Sequence, residues 1–131
     1  MYEIWIDGSS RGNPGVASIA VYAEHDGIEY YKASALLEGI KTNNEAEYES
    51  CIEALILASN LNEKCIIYTD SALVVGQLTK DWKCNFPHLI TLRDIAKKLL
   101  KPNIELKQIG REYNKANKLA QSTSLKSKKW S

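Results

Sequence analysis

YEIWIDGSSRGNPGVASIAVYAEHDGIEYYKASALL, residues 2–37, is the stretch on which the fold class turns. Residues 2–7 (YEIWID) alternate, with Glu3, Trp5 and Asp7 on one face, the period of a half-buried strand. Gly8, Gly12, Pro14 and Gly15 then punctuate a tight turn. Residues 16–24 (VASIAVYAE) read as a second strand, His25-Asp26-Gly27 as a hairpin turn, and residues 28–37 (IEYYKASALL) as a third strand. Connections this short return the chain antiparallel, so the three strands form a meander.

Beyond the meander the period changes. A helix is expected from Thr42 to Asn60, capped by Asn43 or Asn44 and acidic in its first turns. Residues 64–69 (KCIIYT) form a short apolar strand that follows a crossover helix, so a buried strand parallel to its neighbour is expected. A short helix over Asp70–Thr79 and one over Pro87–Leu100, with Pro87 in its first turn, come next. Lys101-Pro102-Asn103 stops the latter. Residues 104–109 (IELKQI) read as a fifth strand and Asn114–Lys128 as a last helix. The order βββαβααβα describes an α/β fold with a five-stranded mixed sheet and helices packed on it. At 131 residues, one domain over 1–131 is expected.

Composition narrows the function classes. The net charge of +1 hides an asymmetry: residues 1–78 hold 4 Lys/Arg against 12 Asp/Glu, and residues 79–131 hold 13 against 4. A basic face can track a phosphate backbone while an acidic pocket holds metal ions; solvated lysines on two helices and a tail fit the charge count equally well. Cys51, Cys65 and Cys84 are odd in number and widely spaced, which suits reduced thiols rather than disulfides or a zinc site. MYEIWIDGSS lacks a basic stretch followed by an apolar run, and no apolar run approaches the ~18 residues of a membrane span. A cytoplasmic protein without membrane contact is expected.

Three carboxylates sit in polar, turn-rich settings at element ends. Glu45, Glu49 and Glu53 recur every fourth residue as a solvated stripe, whereas Glu47 shares a helix face with Cys51, Ala54 and Ala58. A carboxylate aimed at a sheet costs several kcal/mol unless a cation or a retained proton compensates it; a position at the rim of the stripe, reaching water, is the other reading. Asp70 ends an apolar strand, where ligands bind in open mixed sheets, and Asp is equally a favoured helix cap. Asp7 ends the first strand and also suits an Asx-type bend.

Taken together, IDGSSRGNPG, TNNEAEY, YTDSALVVGQL and REYNKANKLA, in that order and spacing, resemble the type 1 ribonuclease H family over nearly the whole chain. The short segment between Asp70 and the last strand resembles its compact bacterial and archaeal branch, without the basic protrusion of longer members. The resemblance implies hydrolysis of the RNA strand of RNA–DNA hybrids by two Mg²⁺ ions, with Mn²⁺ as substitute, leaving 5′-phosphate and 3′-hydroxyl ends. It implies metal ligands at Asp7, Glu47, Asp70 and position 117. It also implies hybrid contacts at Gly12, Asn13, Thr42, Asn43, Asn44 and Ser71, and Trp82 against the DNA strand, flanked by Lys80 and Lys83. A tight turn for Gly12, helix capping for Asn43 and Asn44, and ordinary partial burial for Trp82 are the plainer roles. Longer members carry a histidine before the last helix; here that loop reads Gly110-Arg111-Glu112-Tyr113. A monomer is expected.

One position departs from the pattern. Residue 117 is Asn where the resemblance implies a fourth carboxylate. With Asn114 as the cap of the last helix, Asn117 falls at its third position. Asn keeps an oxygen donor and loses the charge, so weaker metal binding and reduced activity are expected, whether the residue is natural or introduced. The alternative is a catalytically silent module that binds RNA–DNA hybrids. A resolvase- or integrase-like substrate suits the TNN and GNPG segments less well.

Overall fold

β1 (Tyr2–Arg11) is covered on both faces: Ile4 and Ile6 are fully buried on one side and Trp5 is buried on the other. That two-sided burial places it at the centre of the sheet. β2 (Gly15–His25) pairs antiparallel with β1, and β3 (Ile28–Lys41) pairs antiparallel with β2. α1 (Asn43–Ser59) then crosses the sheet, and β4 (Cys65–Thr69) joins β1 in parallel on its other side. α2 (Ala72–Thr79) and α3 (Pro87–Leu99) lead to β5 (Ile104–Gln108), parallel to β4. The sheet order is β3-β2-β1-β4-β5, the expected five-stranded mixed sheet. This computed structural model describes residues 1–119; the expected last helix is seen at residues 117–119, and its remainder to Lys128 lies outside the described residues.

The core explains the phase of α1. Tyr48, Cys51, Ala54, Leu55 and Ala58 are all fully buried with Ile4, Ile6 and Ile67 of the sheet. On the opposite face Trp5, Ala20 and Ala116 form a second, smaller cluster with Leu119 at its margin. Among the described residues no helix is long and apolar enough to cross a membrane.

Several boundaries differ from the sequence reading, for physical reasons. β1 continues four residues beyond Asp7, because Gly8 to Arg11 keep pairing with β2 as far as Arg11↔Val16. Gly8 is therefore a strand residue, and its lack of a side chain serves close approach: a Cβ there would overlap the Ala46 carbonyl of α1. The hairpin turn is confined to residues 12–14, with Gly12 at φ 76°. β3 runs past Leu37 to Lys41 through a register shift opposite Val16–Ser18. Thr42, rather than Asn43 or Asn44, caps α1: its hydroxyl accepts from the Glu45 N–H and the Glu45 carboxylate accepts from the Thr42 N–H, a capping box. Glu45 is thus not simply solvated. Ser71, rather than Asp70, caps α2, accepting from the Val74 N–H at 3.2 Å. Asp70 is left without the capping role.

Candidate metal centre

β1 and β4 pair only from Tyr2↔Cys65 to Trp5↔Tyr68 and then diverge. Their connections leave to opposite sides of the sheet, which opens a crevice at the carboxyl ends of the two parallel strands. Asp7 lies two residues beyond the last pair on β1, and Asp70 two residues beyond it on β4. Glu47 enters from the sheet-facing side of α1 and is 7% exposed, which removes the rim position as a reading. The close approach at Gly8 brings the strand's own N–H onto Glu47: Gly8 N donates to Oε1 at 2.5 Å. One oxygen from each of Asp7, Glu47 and Asp70 lies within 4.8 Å of the others.

Three like-charged groups in so small and dry a space resist ionising together. Burial first, and then the charge of Asp70, push the Asp7 carboxyl up to about 6, against the pull of the Arg111 guanidinium. Burial, then Asp7 and Asp70, push Glu47 up to about 9. Two carboxyls this close are both acceptors when ionised, so a proton retained by one of them relieves the clash. Without a cation Glu47 retains its proton at neutral pH.

Asn117 faces the same cleft, and its Oδ1 is buried without a hydrogen-bond partner in the described residues. An orphaned buried acceptor costs about 1–3 kcal/mol. The segment carrying it is tied down on both sides. Asn114 is buried; its Nδ2 donates to the Ile6 carbonyl at 2.8 Å, one residue before Asp7, and its Oδ1 accepts from the Ala116 N–H at 3.0 Å. Lys115 Nζ meets Glu24 at 2.9 Å and lies 4.5 Å above the Trp5 ring. Asn114 thus caps a turn rather than the helix itself, and helical geometry starts at residue 117 instead of placing Asn117 third. Three carboxylates and an unsatisfied amide oxygen form a set of hard donors, the kind Mg²⁺ and Mn²⁺ prefer.

Of the other residues singled out in the sequence, Asn43, Asn44 and Ser71 line this cleft of about 540 Å³. Gly12 and Asn13 do not line it but are wired to it. Asn13 Oδ1 accepts from the Asn43 N–H at 3.0 Å, Asn43 Oδ1 accepts from Ser10 N at 2.8 Å, and Ser10 Oγ donates to the Gly12 carbonyl at 2.6 Å. Thr42 is engaged as the helix cap. Trp82 stands apart, its ring against Gly76 of α2 with about half of it exposed. Ser9, Gln108, Ile109, Gly110 and Arg111 also line the cleft and were not singled out as site residues. The parallel pairing of β5 with β4, which carries the loop after Gln108 to Asp70, was the available signal for Arg111.

Comparison with known proteins gives the same answer three ways. The RNase H family model matches residues 1–127. Ribonuclease HI of Halobacterium salinarum is 40% identical over 98 residues, 73% of this chain and 49% of that protein. Ribonuclease H of Haemophilus influenzae is 36% identical over 94 residues, 63% of this chain and 54% of that protein. The chain thus spans about half the length of these curated relatives. Among solved structures, RNase H1 from Halobacterium salinarum aligns with a TM-score of 0.86 at 32% identity, covering 95% of this chain and 98% of that one. LC11-RNase H1 in complex with an RNA/DNA hybrid aligns with a TM-score of 0.86 at 31% identity, covering 97% and 99%.

Proposed function

The chain belongs to the ribonuclease H family, and from that premise we propose that it hydrolyses the RNA strand of RNA–DNA hybrids with divalent metal ions, leaving 5′-phosphate and 3′-hydroxyl ends. The observation that carries this reading is the meeting of Asp7, Glu47, Asp70 and the orphaned Asn117 oxygen in one cleft. In this reading residues 1–131 act as one domain, and three buried free thiols suit a reducing cytoplasm.

Asp7, Glu47 and Asp70 are the metal ligands, and Asn117 is a neutral fourth donor. Two Mg²⁺ ions, or Mn²⁺ in their place, supply when bound an activated water and charge neutralisation at the departing 3′-oxygen. The protein's own work is to hold these oxygens together before any ion arrives. Gly8 lets α1 come close enough and fixes Glu47 by its N–H, and Asn114 pins the Asn117 segment to β1. Arg111, beside Asp7, moderates the clash of like charges and offers a cation to a phosphate in the cleft. The Ser71 hydroxyl spends its acceptor on the Val74 N–H and keeps its proton to donate to a substrate oxygen.

Choice of RNA rests on the 2′-hydroxyl, which both donates and accepts. Asn43 and Asn44 at the start of α1, with the Gly12–Asn13 turn held to Asn43, place amide groups and bare backbone beside the cleft. Thr42 adds a hydroxyl toward a DNA phosphate. Trp82, with Lys80 and Lys83, offers an exposed ring and cations farther along for the DNA strand.

Asn117 favours one second reading, a catalytically silent module that binds hybrids. Both are tested by incubating a labelled RNA–DNA hybrid with Mg²⁺ or Mn²⁺, using the chain as given beside its Asn117→Asp form. Cleavage of the RNA strand, faster in the Asp form, is expected. Hybrid binding without turnover in either form and either metal would establish the silent module instead.

A further inference from the structure

Trp82 sits in a loop that α2 holds from two adjacent positions. Its ring lies on Gly76, where a Cβ would overlap the indole, and the Gly76 carbonyl accepts from the N–H groups of Lys80 at 2.9 Å and Trp82 at 3.1 Å. The next residue, Gln77, is buried, as are Val74, Val75 and Leu78 of the same helix. Its Nε2 donates to the Lys83 carbonyl at 2.9 Å, and its Oε1 accepts from the Tyr48 hydroxyl at 2.5 Å. Tyr48 is fully buried in α1, one residue after Glu47.

A glutamine in such apolar company is costly unless both ends of its amide are paired, and here both are. A methionine would fill similar space and leave the Lys83 carbonyl unheld. What the amide adds is a fixed path for the chain from Lys80 to Lys83. Asp81 shows that this path needs holding: it stands at φ 54°, a left-handed conformation unfavourable for a residue with a Cβ. The held segment leaves Lys80 and Lys83 exposed and Trp82 46% exposed. α2, whose cap Ser71 follows Asp70, ends at this loop and rises about 12 Å over its eight residues. The loop is therefore fixed against the metal centre along two routes, down α2 from Asp70 and across to α1 beside Glu47.

We propose that Gln77 is a positioning residue for hybrid binding: bonded to Tyr48 and to the Lys83 carbonyl, it holds the Lys80–Lys83 loop in its binding shape before the DNA strand arrives. This role rests on the reading above that the loop meets the DNA strand; Gln77, 3% exposed, touches no substrate itself. A loop ordered in advance spares the complex the loss of loop freedom on association, so the ring and the two cations of the loop meet the strand already in place. Neither Gln77 nor Tyr48 lines the metal cleft, so the effect falls on affinity for the hybrid and not on metal binding.

Fluorescence anisotropy of a labelled RNA–DNA hybrid, in buffer free of divalent metal so that neither strand is cut, reads the effect on the full chain. Gln77→Met keeps the volume and removes both hydrogen bonds; it should raise the Kd for the hybrid about tenfold, as should Trp82→Ala. Tyr48→Phe, which frees only one end of the amide, should act in the same direction and less strongly. In the Trp82→Ala background, Gln77→Met should add less than about threefold, the non-additivity of two residues acting through one contact. Circular dichroism melts check that each form is folded, and calorimetry should give Gln77→Met the Mn²⁺ affinity of the unaltered chain, which a general loosening of the fold would not. A Kd indifferent to Gln77→Met while Trp82→Ala raises it, or full additivity of the two, would overturn the positioning role alone. A Kd unmoved by Trp82→Ala would remove the DNA-strand reading, and the positioning role with it.

Discussion

The two ends of β1 treat charge in opposite ways. At its amino end the Met1 ammonium meets Asp26 at 2.9 Å and Glu63 at 3.0 Å, and His25 meets Glu63 at 3.0 Å. Those groups are exposed and of opposite sign, and hydrogen bonds from the ammonium group hold the carboxyls of Asp26 and Glu63 below their usual values. At the carboxyl end Asp7, Glu47 and Asp70 are crowded, of one sign and mostly buried, and the carboxyls of Asp7 and Glu47 are pushed upward. The first cluster is satisfied by the protein itself, and the second has no opposite charge among its own three carboxyls. A fold retains such a cluster against its own stability when another component completes it.

Substitutions should separate the two ends. The largest effect belongs to Asp70→Asn, which removes a proposed charged ligand without capping consequences, since Ser71 caps α2. In the Asn117→Asp background it should lower hybrid cleavage about a hundredfold or more, seen in single-turnover rates. Gly8→Ala attacks the same end through packing. Its Cβ would collide with the Ala46 carbonyl and sit 2.7 Å from the Glu47 nitrogen, so urea melts should show a loss of about 2 kcal/mol or more. Asn117→Asp should raise cleavage at least about tenfold, equivalent to ~1.4 kcal/mol of barrier. Glu63→Gln at the amino end should leave cleavage unchanged; a loss comparable to that of Asp70→Asn would erase the contrast.

Titration should sharpen the same contrast. In metal-free protein the folded state holds protons on Asp7 and Glu47 that the unfolded chain releases at lower pH. Stability therefore falls as pH rises from about 4 through 6 and on towards 9. The amino-end carboxyls act in the opposite sense, since their folded values are lowered: their contribution is present above the unfolded values and lost in acid. Thermal melts across pH, with Glu47→Gln flattening the alkaline decline, check the sign.

Much of this was legible in the sequence, and the gaps have physical causes. The meander and the buried β4 follow from period-2 alternation and a short apolar run, and helical phase alone picked out Glu47 from its acidic neighbours. The end of β1 was missed because Gly8 to Arg11 look like turn chemistry, while their strand state depends on β2, a non-local partner. Asp70 as cap or site residue could not be separated by spacing, because Ser71, one residue on, caps equally well. Arg111 escaped because its place depends on the parallel register of β5 with β4. Helical phase says which way a side chain points, and not which distant strand it will meet.

The claim that the carboxyl-end cluster awaits a cation is tested most directly by calorimetric titration of Mn²⁺ into the protein at pH 7, in two buffers of different ionisation heat. Glu47, pushed up to about 9, must lose its proton on binding, so net proton release that disappears in Glu47→Gln is predicted. Absence of binding, or binding with no proton release, would contradict it.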